Sequence, residues 1–157
     1  MSSEEPNERN NYKLEHAQLL LNSFRHLTGR ELFEPRSTPL EDAIQLWNAP
    51  FVVLSHTPEA DPIFNYGNRT ALRLFEMTWQ ELTQLPSRYS AEALERSERE
   101  RLLNTVAKQG YIDHYQGVRI AKSGRRFMIK QAVVWNLIDA QGNYLGQAAS
   151  FAHWDYL

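Results

Sequence analysis

The first regular pattern of hydrophobic positions lies near the N-terminus. From Tyr12 onward, apolar residues recur at steps of three and four, which places them on one stripe of a helix that ends near Gly29. This stripe consists of Leu14, Ala17, Leu20, Leu21, Phe24 and Leu27. Because such a helix is amphipathic, another surface must cover its apolar side. A second short helix follows, and Pro50 ends it.

After Pro50 the pattern changes to short extended segments and short helices. Residues 51–56 and 63–66 predict a β-hairpin, and Asn68 is placed to cap the helix that follows it. The spacing of Thr78 and Glu81 is that of a capping box. A longer helix is predicted from Ser90 to Gln109.

The last third of the chain is rich in β-branched and aromatic residues and is divided by glycine-containing turns. It predicts three strands of an antiparallel meander, over residues 111–121, 125–138 and 144–154. Simple alternation in the middle strand places Phe127, Ile129, Val133, Trp135 and Leu137 on one face. The opposite face is also apolar, so both faces need a cover. The N-terminal helix, from this chain or from a second copy, is the natural cover for one of them, and a homodimer is therefore expected.

Composition limits the possible functions. The 157 residues suffice for one hydrophobic core, and the absence of cysteine excludes disulfides, thiolate nucleophiles and cysteine-ligated metals. A formal net charge of -2 gives no overall field that would attract nucleic acid or an anionic membrane. Because we find neither a membrane-length apolar run nor a signal pattern, a cytoplasmic protein is expected.

Several motifs resemble those of a known sensory family. Residues 62–76, in which Tyr66-Gly-Asn68 precedes a helix, resemble the PAS signature. Five further segments, in the same order, resemble the MEKHLA domain: Leu85-Pro-Ser-Arg88, Gly117-Val-Arg-Ile120, Gly124-Arg-Arg-Phe127, Val134-Trp-Asn-Leu137 and Gly142 to Ala148. This PAS-related family occurs as free-standing bacterial proteins and at the C-terminus of plant class III homeodomain–leucine zipper proteins. The six-letter string that names the family is absent here, so the resemblance is to the free-standing bacterial type.

The resemblance implies an α+β fold with a PAS-like five-stranded antiparallel sheet, helices on one face and an N-terminal helical extension. On this basis residues 1–11 form a disordered tail, residues 12–49 the helical extension and residues 50–157 the PAS-like domain. The implied function is a non-enzymatic sensory module. It would bind a small molecule or a protein and signal through dimerisation or a partner.

In such a fold, eight side chains are candidates for a ligand pocket between sheet and helices. They are Tyr66, Asn68, Phe75, Trp79, Tyr89, Gln131, Trp135 and Gln147. Aromatic walls with a few amide groups suit a flat, non-covalently bound organic ligand. Alternatively, the rings fill the core and Asn68 is only a helix cap. Gln131 alternates with Ile129 and Val133, so its amide would need a buried partner.

The sequence also bears on cofactors and catalysis. Without cysteine, neither a flavin–cysteine adduct nor a cysteine-tethered chromophore can form. Haem is not expected, because none of the five histidines lies between residues 90 and 109, where an oxygen-sensing PAS domain would place its ligand. No metal-ligand spacing occurs. The alternative is a small α+β cone enzyme, resembling nuclear transport factor 2-like isomerases and hydratases, with a buried histidine or carboxylate.

Two groups of charged residues are predicted to face solvent. One is the basic cluster at a hairpin tip, made of Arg119, Lys122, Arg125, Arg126 and Lys130. The other is the charged run at residues 95–101, which is typical of a solvated helix face. Neither group predicts a nucleic-acid site.

Overall fold

The computed structural model describes residues 4–91 and 96–157, and in this part of the chain the periodic segments form five α-helices and six β-strands. The helices are α1 (Leu14–Thr28), α2 (Pro39–Asn48), α3 (Arg69–Phe75), α4 (Trp79–Leu82) and α5 (Arg96–Gln109). The strands are β1 (Val52–His56), β2 (Phe64–Gly67), β3 (Tyr111–Ile120), β4 (Arg126–Ile138), β5 (Tyr144–Phe151) and β6 (His153–Tyr156). The part of the predicted long helix at residues 92–95 lies outside the described residues.

Local capping signals fix several helix boundaries where the sequence predicts them. Helix α1 ends at Gly29, whose φ of 71° is in the left-handed region that glycine adopts without steric cost. Asn68 caps α3 by accepting a hydrogen bond from the backbone N–H of Ala71. The Thr78–Glu81 capping box is present at the start of α4. These three predictions are confirmed.

The strands form one antiparallel sheet in the order β2-β1-β5-β4-β3. Strand β5 pairs with the second half of β4, and β6 continues in the same direction beside the first half of β4. The predicted strand over residues 144–154 is therefore interrupted at Ala152. A five-stranded PAS-like sheet is confirmed, with its last strand divided in two.

A β-bulge in β4 explains why simple alternation fails there. Gln131 has a φ of 54°, and this left-handed residue interrupts the two-residue period of the strand. As a result Phe127 and Ile129 pack with Ala132 on one face, whereas Trp135 and Leu137 pack on the opposite face. The prediction that all these large side chains share one face is wrong.

The two faces of the sheet are covered by different helices of the same chain. Helices α1 and α2 pack over Val53, Trp135 and Leu137, while α3 and α5 cover the other face. The indole Nε1 of Trp135 donates a hydrogen bond to the Leu20 carbonyl at 3.3 Å. Because α1 of this chain already covers the sheet, the face does not need a second copy, which was the reason for expecting a homodimer.

The described segment before α1, residues 4–13, contains a short helix and local hydrogen bonds, while residues 1–3 of the tail predicted for residues 1–11 lie outside the described part of the chain. Residues 8–13 form a 3₁₀-helix, and Pro6 is buried. The Asn7 side chain accepts from the Arg9 backbone N–H at 2.8 Å, and the Asn10 side chain accepts from the Asn7 backbone N–H at 2.9 Å. These local hydrogen bonds give a polar segment a defined turn without a large apolar surface. No helix among the described residues is long and apolar enough to cross a membrane.

Candidate functional site

A partly open cavity of about 70 Å³ lies between the sheet and the helices α3 and α5. Its volume corresponds to roughly five to seven water molecules. Most of the wall is apolar and includes Leu54, Phe64, Phe75, Ile129, Val134 and Phe151. The polar groups in the wall are Ser55, His56, Ser87, Ser90, Arg99, Tyr115, Arg119 and Gln147. The described residues of this wall include no carboxylate.

The most unusual group in the wall is the guanidinium of Arg99, which α5 places against the sheet. Arg99 is only 5% exposed, and its Nη2 donates a hydrogen bond to the hydroxyl of Ser87. Burial lowers the pKa of Arg99 to about 10, and the nearby charge of Arg119 acts in the same direction. Arg99 thus stays charged at neutral pH. Since a buried charge without a counter-ion is unfavourable, the site favours an anion beside it.

Within residues 4–91 and 96–157, no acidic side chain forms an ion pair with Arg99. Asp61 and Glu100 attract its charge at longer range, but neither forms an ion pair with it. Asp61 instead pairs with Arg88, with 3.1 Å between Oδ1 and Nε. Arg99 is therefore a buried cation without an ion-pair partner among the described residues.

A second cation, Arg119 of β3, lies in the same wall. Its Nη2 donates to the hydroxyl of Tyr115 at 3.2 Å, and its Nη1 donates to the Val118 carbonyl at 2.8 Å. These contacts hold the guanidinium against neutral oxygens. Two arginines thus border the cavity, and no carboxylate does so among the wall residues that the structure describes, a balance of charge that favours an anion.

His56 and Gln147 are directly opposite each other on β1 and β5. The Nδ1 atom of His56 lies 2.9 Å from the Thr57 carbonyl and therefore carries the proton that makes this hydrogen bond. Its Nε2 is then a buried acceptor without a partner in the described structure. Gln147 donates to the Leu103 carbonyl at 2.8 Å and to the Asn136 side chain at 3.2 Å. His56 thus offers the cavity a free acceptor.

Only two of the eight pocket candidates from the sequence, Phe75 and Gln147, line the cavity. Tyr66, Trp79 and Trp135 pack in the core on the side of α1 and α2. Asn68 is buried in backbone hydrogen bonds at the start of α3. The other two are on the surface: Tyr89, which is 45% exposed, and Gln131. The bulge turns Gln131 to solvent, so its predicted need for a buried partner is wrong.

The charged residues of the site are not among the pocket candidates predicted from the sequence. Both arginines were predicted to face solvent, and His56 was not a pocket candidate. A signal was present for Arg99, because it precedes Leu102 and Val106 by three and seven residues and so shares their apolar stripe. His56 alternates with Val52 and Leu54, which places it on the same face of β1.

Two buried histidines predict a pH-dependent stability. The pKa of His56 is lowered to about 4, chiefly by burial; the hydrogen bond to Thr57 opposes this shift, and the charge of Arg99 contributes to it. Burial also lowers the pKa of His16 to about 4, where its Nε2 is 2.8 Å from the Ser55 hydroxyl. Because the unfolded chain binds these protons more readily below pH 6.5, stability falls as the pH drops from about 6.5 towards 4.

We expect the free energy of unfolding to fall by about 1 kcal/mol for each of these histidines between pH 7.5 and 5.5. Urea unfolding at several pH values measures this fall. His16→Gln and His56→Gln should each reduce it, and His26→Gln, at an exposed position of α1, is the matched control. Equal pH dependence in all three variants would show that the buried histidines do not cause it.

Comparison with known proteins identifies three kinds of similarity. The family model described as the MEKHLA domain matches residues 14–156. Two plant proteins from Arabidopsis thaliana are similar in sequence. Homeobox-leucine zipper protein ATHB-14 is 29% identical over 137 residues, which is 83% of this chain, and ATHB-9 is 28% identical over 118 residues, which is 72% of it. The chain spans only 16% and 14% of the lengths of these relatives.

The third similarity is structural. A PAS domain from Colwellia psychrerythraea superposes with a TM-score of 0.63 at 10% identity, covering 74% of this chain and 94% of that one. An RNA-binding light-oxygen-voltage receptor superposes with a TM-score of 0.61 at 14% identity, covering 76% of this chain and 35% of that receptor. At these identities the superpositions show a shared PAS-like fold.

Proposed function

Because this chain belongs to the MEKHLA domain family, we propose that it is a PAS-like sensory module that binds one small molecule non-covalently in the cavity between sheet and helices. The observation that carries the proposal is the cavity itself, which is bordered by a buried cation and a buried acceptor that have no counter-ion and no hydrogen-bond partner, respectively, among the described residues. Buried polar groups normally have partners, so a bound molecule is expected to supply a partner for at least one of these two groups.

The size of the cavity favours a compact ligand. A volume of about 70 Å³ has no room for a flavin or haem unless the wall moves. The absence of cysteine excludes a covalent thiol adduct. We therefore propose a molecule with few non-hydrogen atoms in place of the flat ligand that the aromatic content predicts.

The sheet provides a route from the cavity to α1. On β1, His56 lines the cavity, and the neighbouring Ser55 contacts His16 of α1 through its hydroxyl. Ser23 of α1 also binds the end of β4, donating to the Ile138 carbonyl at 3.1 Å and accepting from its N–H at 2.9 Å. A shift of these strands on ligand binding would change how α1 packs against the sheet. A partner protein or a second copy would then recognise the changed surface.

A cavity-filling variant tests ligand binding. Ala149 lines the cavity and pairs with Leu54 and Val134 on the neighbouring strands. Ala149→Leu adds three carbon atoms to this space and should abolish the stabilisation that a bound molecule gives. The melting temperatures of the wild type and the variants would be measured with and without each compound of a panel of small metabolites. Ala140→Leu, at an exposed turn position, should respond as the wild type does.

The same experiment can contradict the proposal. If a compound stabilises Ala149→Leu as much as wild type, it binds elsewhere. If no compound in a panel that includes acids, bases and neutral molecules stabilises the wild type, the cavity is not a ligand site. Sedimentation with and without an identified compound then shows whether occupancy changes self-association.

The cone enzyme considered in the sequence analysis is not favoured. The fold matches PAS structures, and the only ionisable groups in the described wall are those of His56, Tyr115 and the two arginines. His114 and Asp113, which form an adjacent pair in the sequence, lie away from the cavity: the His114 side chain is 82% exposed, and Asp113 pairs with Arg30 at 2.8 Å.

A further inference from the structure

We propose that the ligand of the cavity is the anion of a small organic acid, and that its carboxylate binds between Arg99 and Arg119. This inference rests on the proposed function, because it specifies the ligand of the same cavity. It names the charge of the ligand, the two residues that recognise it and the apolar wall that receives the rest of the molecule.

First, the charges in the described cavity wall are unbalanced. Two guanidinium groups border the cavity, and the described part of its wall holds no carboxylate. Burial destabilises the protonated form of Arg99, and the positive charge of Arg119 adds to this effect. A single carboxylate near both guanidinium groups would offset the desolvation of Arg99 and the repulsion between the two cations.

Second, the Arg99 guanidinium has N–H donors that are available for a ligand. A guanidinium has five N–H groups in one plane and matches the two oxygens of a carboxylate with parallel hydrogen bonds. In the described structure the Arg99 guanidinium makes one hydrogen bond within the cavity wall, from Nη2 to Ser87. The remaining donors of this group can therefore bind a ligand. His56 Nε2 is an acceptor and would repel a carboxylate, so the anion belongs on the arginine side.

Third, much of the cavity wall is apolar. Phe64, Phe75 and Phe151, together with Leu54 and Ile129, form an apolar surface next to the two arginines. A hydrocarbon chain of a few carbon atoms gains free energy against such a surface, whereas inorganic phosphate does not. The combination of a cationic end and an apolar wall within about 70 Å³ thus fits a short-chain carboxylate.

A titration of the full chain tests the inference. The probes are straight-chain monocarboxylates from acetate to hexanoate, the corresponding primary amides, and inorganic phosphate. Binding is followed by NMR, through the Nε–H signals of arginine and the methyl signals of Leu54 and Ile129. We expect at least one carboxylate to bind and its amide to bind at least tenfold more weakly. Phosphate should bind more weakly than that carboxylate.

Variants of α5 give the matched control. Arg99→Gln should weaken carboxylate binding at least tenfold, while Arg101→Gln should bind as wild type does, because Arg101 is exposed and pairs with Glu98. Arg99→Met tests whether a loss of binding reflects misfolding. It removes the buried cation and should raise the melting temperature of the ligand-free protein. It should also abolish carboxylate binding. Arg101→Met should change neither property.

The outcomes separate this inference from the proposed function. If neutral amides bind as tightly as the acids, or if Arg99→Gln binds like Arg101→Gln, the cavity is a ligand site but the assignment of charge is wrong. Preferential binding of phosphate would also contradict the assignment of the ligand as a carboxylate. A lower melting temperature of Arg99→Met would show that the arginine has a structural role. If no molecule of any charge binds, both proposals fail.

Discussion

Replacing Gly146 with alanine is expected to lower the free energy of unfolding by at least about 3 kcal/mol. A Cβ atom at this position would lie 2.1 Å from the carbonyl oxygen of His56, and the φ of 129° is one that side chains rarely adopt. The obstacle is backbone, so a rotamer change cannot remove it. Strand β1 would have to move away from β5, and the pairing between these strands would be disturbed.

Gly142→Ala is the matched control for this prediction. Gly142 has a φ of 81°, also in the region that favours glycine, but a Cβ atom there would meet nothing within 4 Å. Its cost should be only about 1 kcal/mol, from backbone strain alone. Urea unfolding followed by circular dichroism measures both variants. Similar losses of stability would show that the close approach of β1 to β5 is not what requires glycine at position 146.

Replacing Asn68 with alanine is expected to destabilise the protein by about 3 kcal/mol or more. The side chain is fully buried, and its amide makes four hydrogen bonds to the backbone. Oδ1 accepts from the N–H groups of Val53 at 3.2 Å and Ala71 at 3.1 Å. Nδ2 donates to the carbonyls of Leu46 at 3.1 Å and Phe51 at 2.9 Å. Asn68 thus joins α2, β1 and α3, and alanine leaves four backbone groups without these bonds.

Two further variants separate the contributions to this effect. Asn68→Asp keeps the acceptor that caps α3, but it cannot donate to the two carbonyls and should also be strongly destabilising. Thr38→Ala removes an exposed cap, in which the hydroxyl accepts from the Glu41 N–H at 3.2 Å, and should cost about 1 kcal/mol. If Asn68→Ala costs no more than Thr38→Ala in urea unfolding, Asn68 is only a helix cap.

Much of the fold is predictable because its signals are local. The stripe that begins at Leu14 and the cap at Gly29 define α1, and Asn68 marks the start of α3. Such signals depend on residues within one or two turns, so periodicity alone suffices to find them. The two-sided apolar pattern of β4 also correctly indicates that both faces of the sheet are covered.

The cavity was less predictable because it depends on contacts between distant segments. The bulge at Gln131 reverses the direction of the side chains that follow it, and the two-residue period of the sequence does not predict this reversal. Arg99 lies in a highly charged run, yet α5 turns it towards the sheet 12 residues after Ser87, its hydrogen-bond partner. Aromatic content indicated Tyr66 and Trp135 as pocket residues, whereas they fill the core under α1 and α2.

If the cavity binds one small molecule, native mass spectrometry of the intact protein should detect that molecule. Wild type and Ala149→Leu would be incubated with the same mixture of small organic acids, amines and neutral metabolites, then desalted and measured. We predict one added molecule per 18.3 kDa chain in the wild type and none in Ala149→Leu. The same added masses in both proteins, or none in either, would contradict the claim.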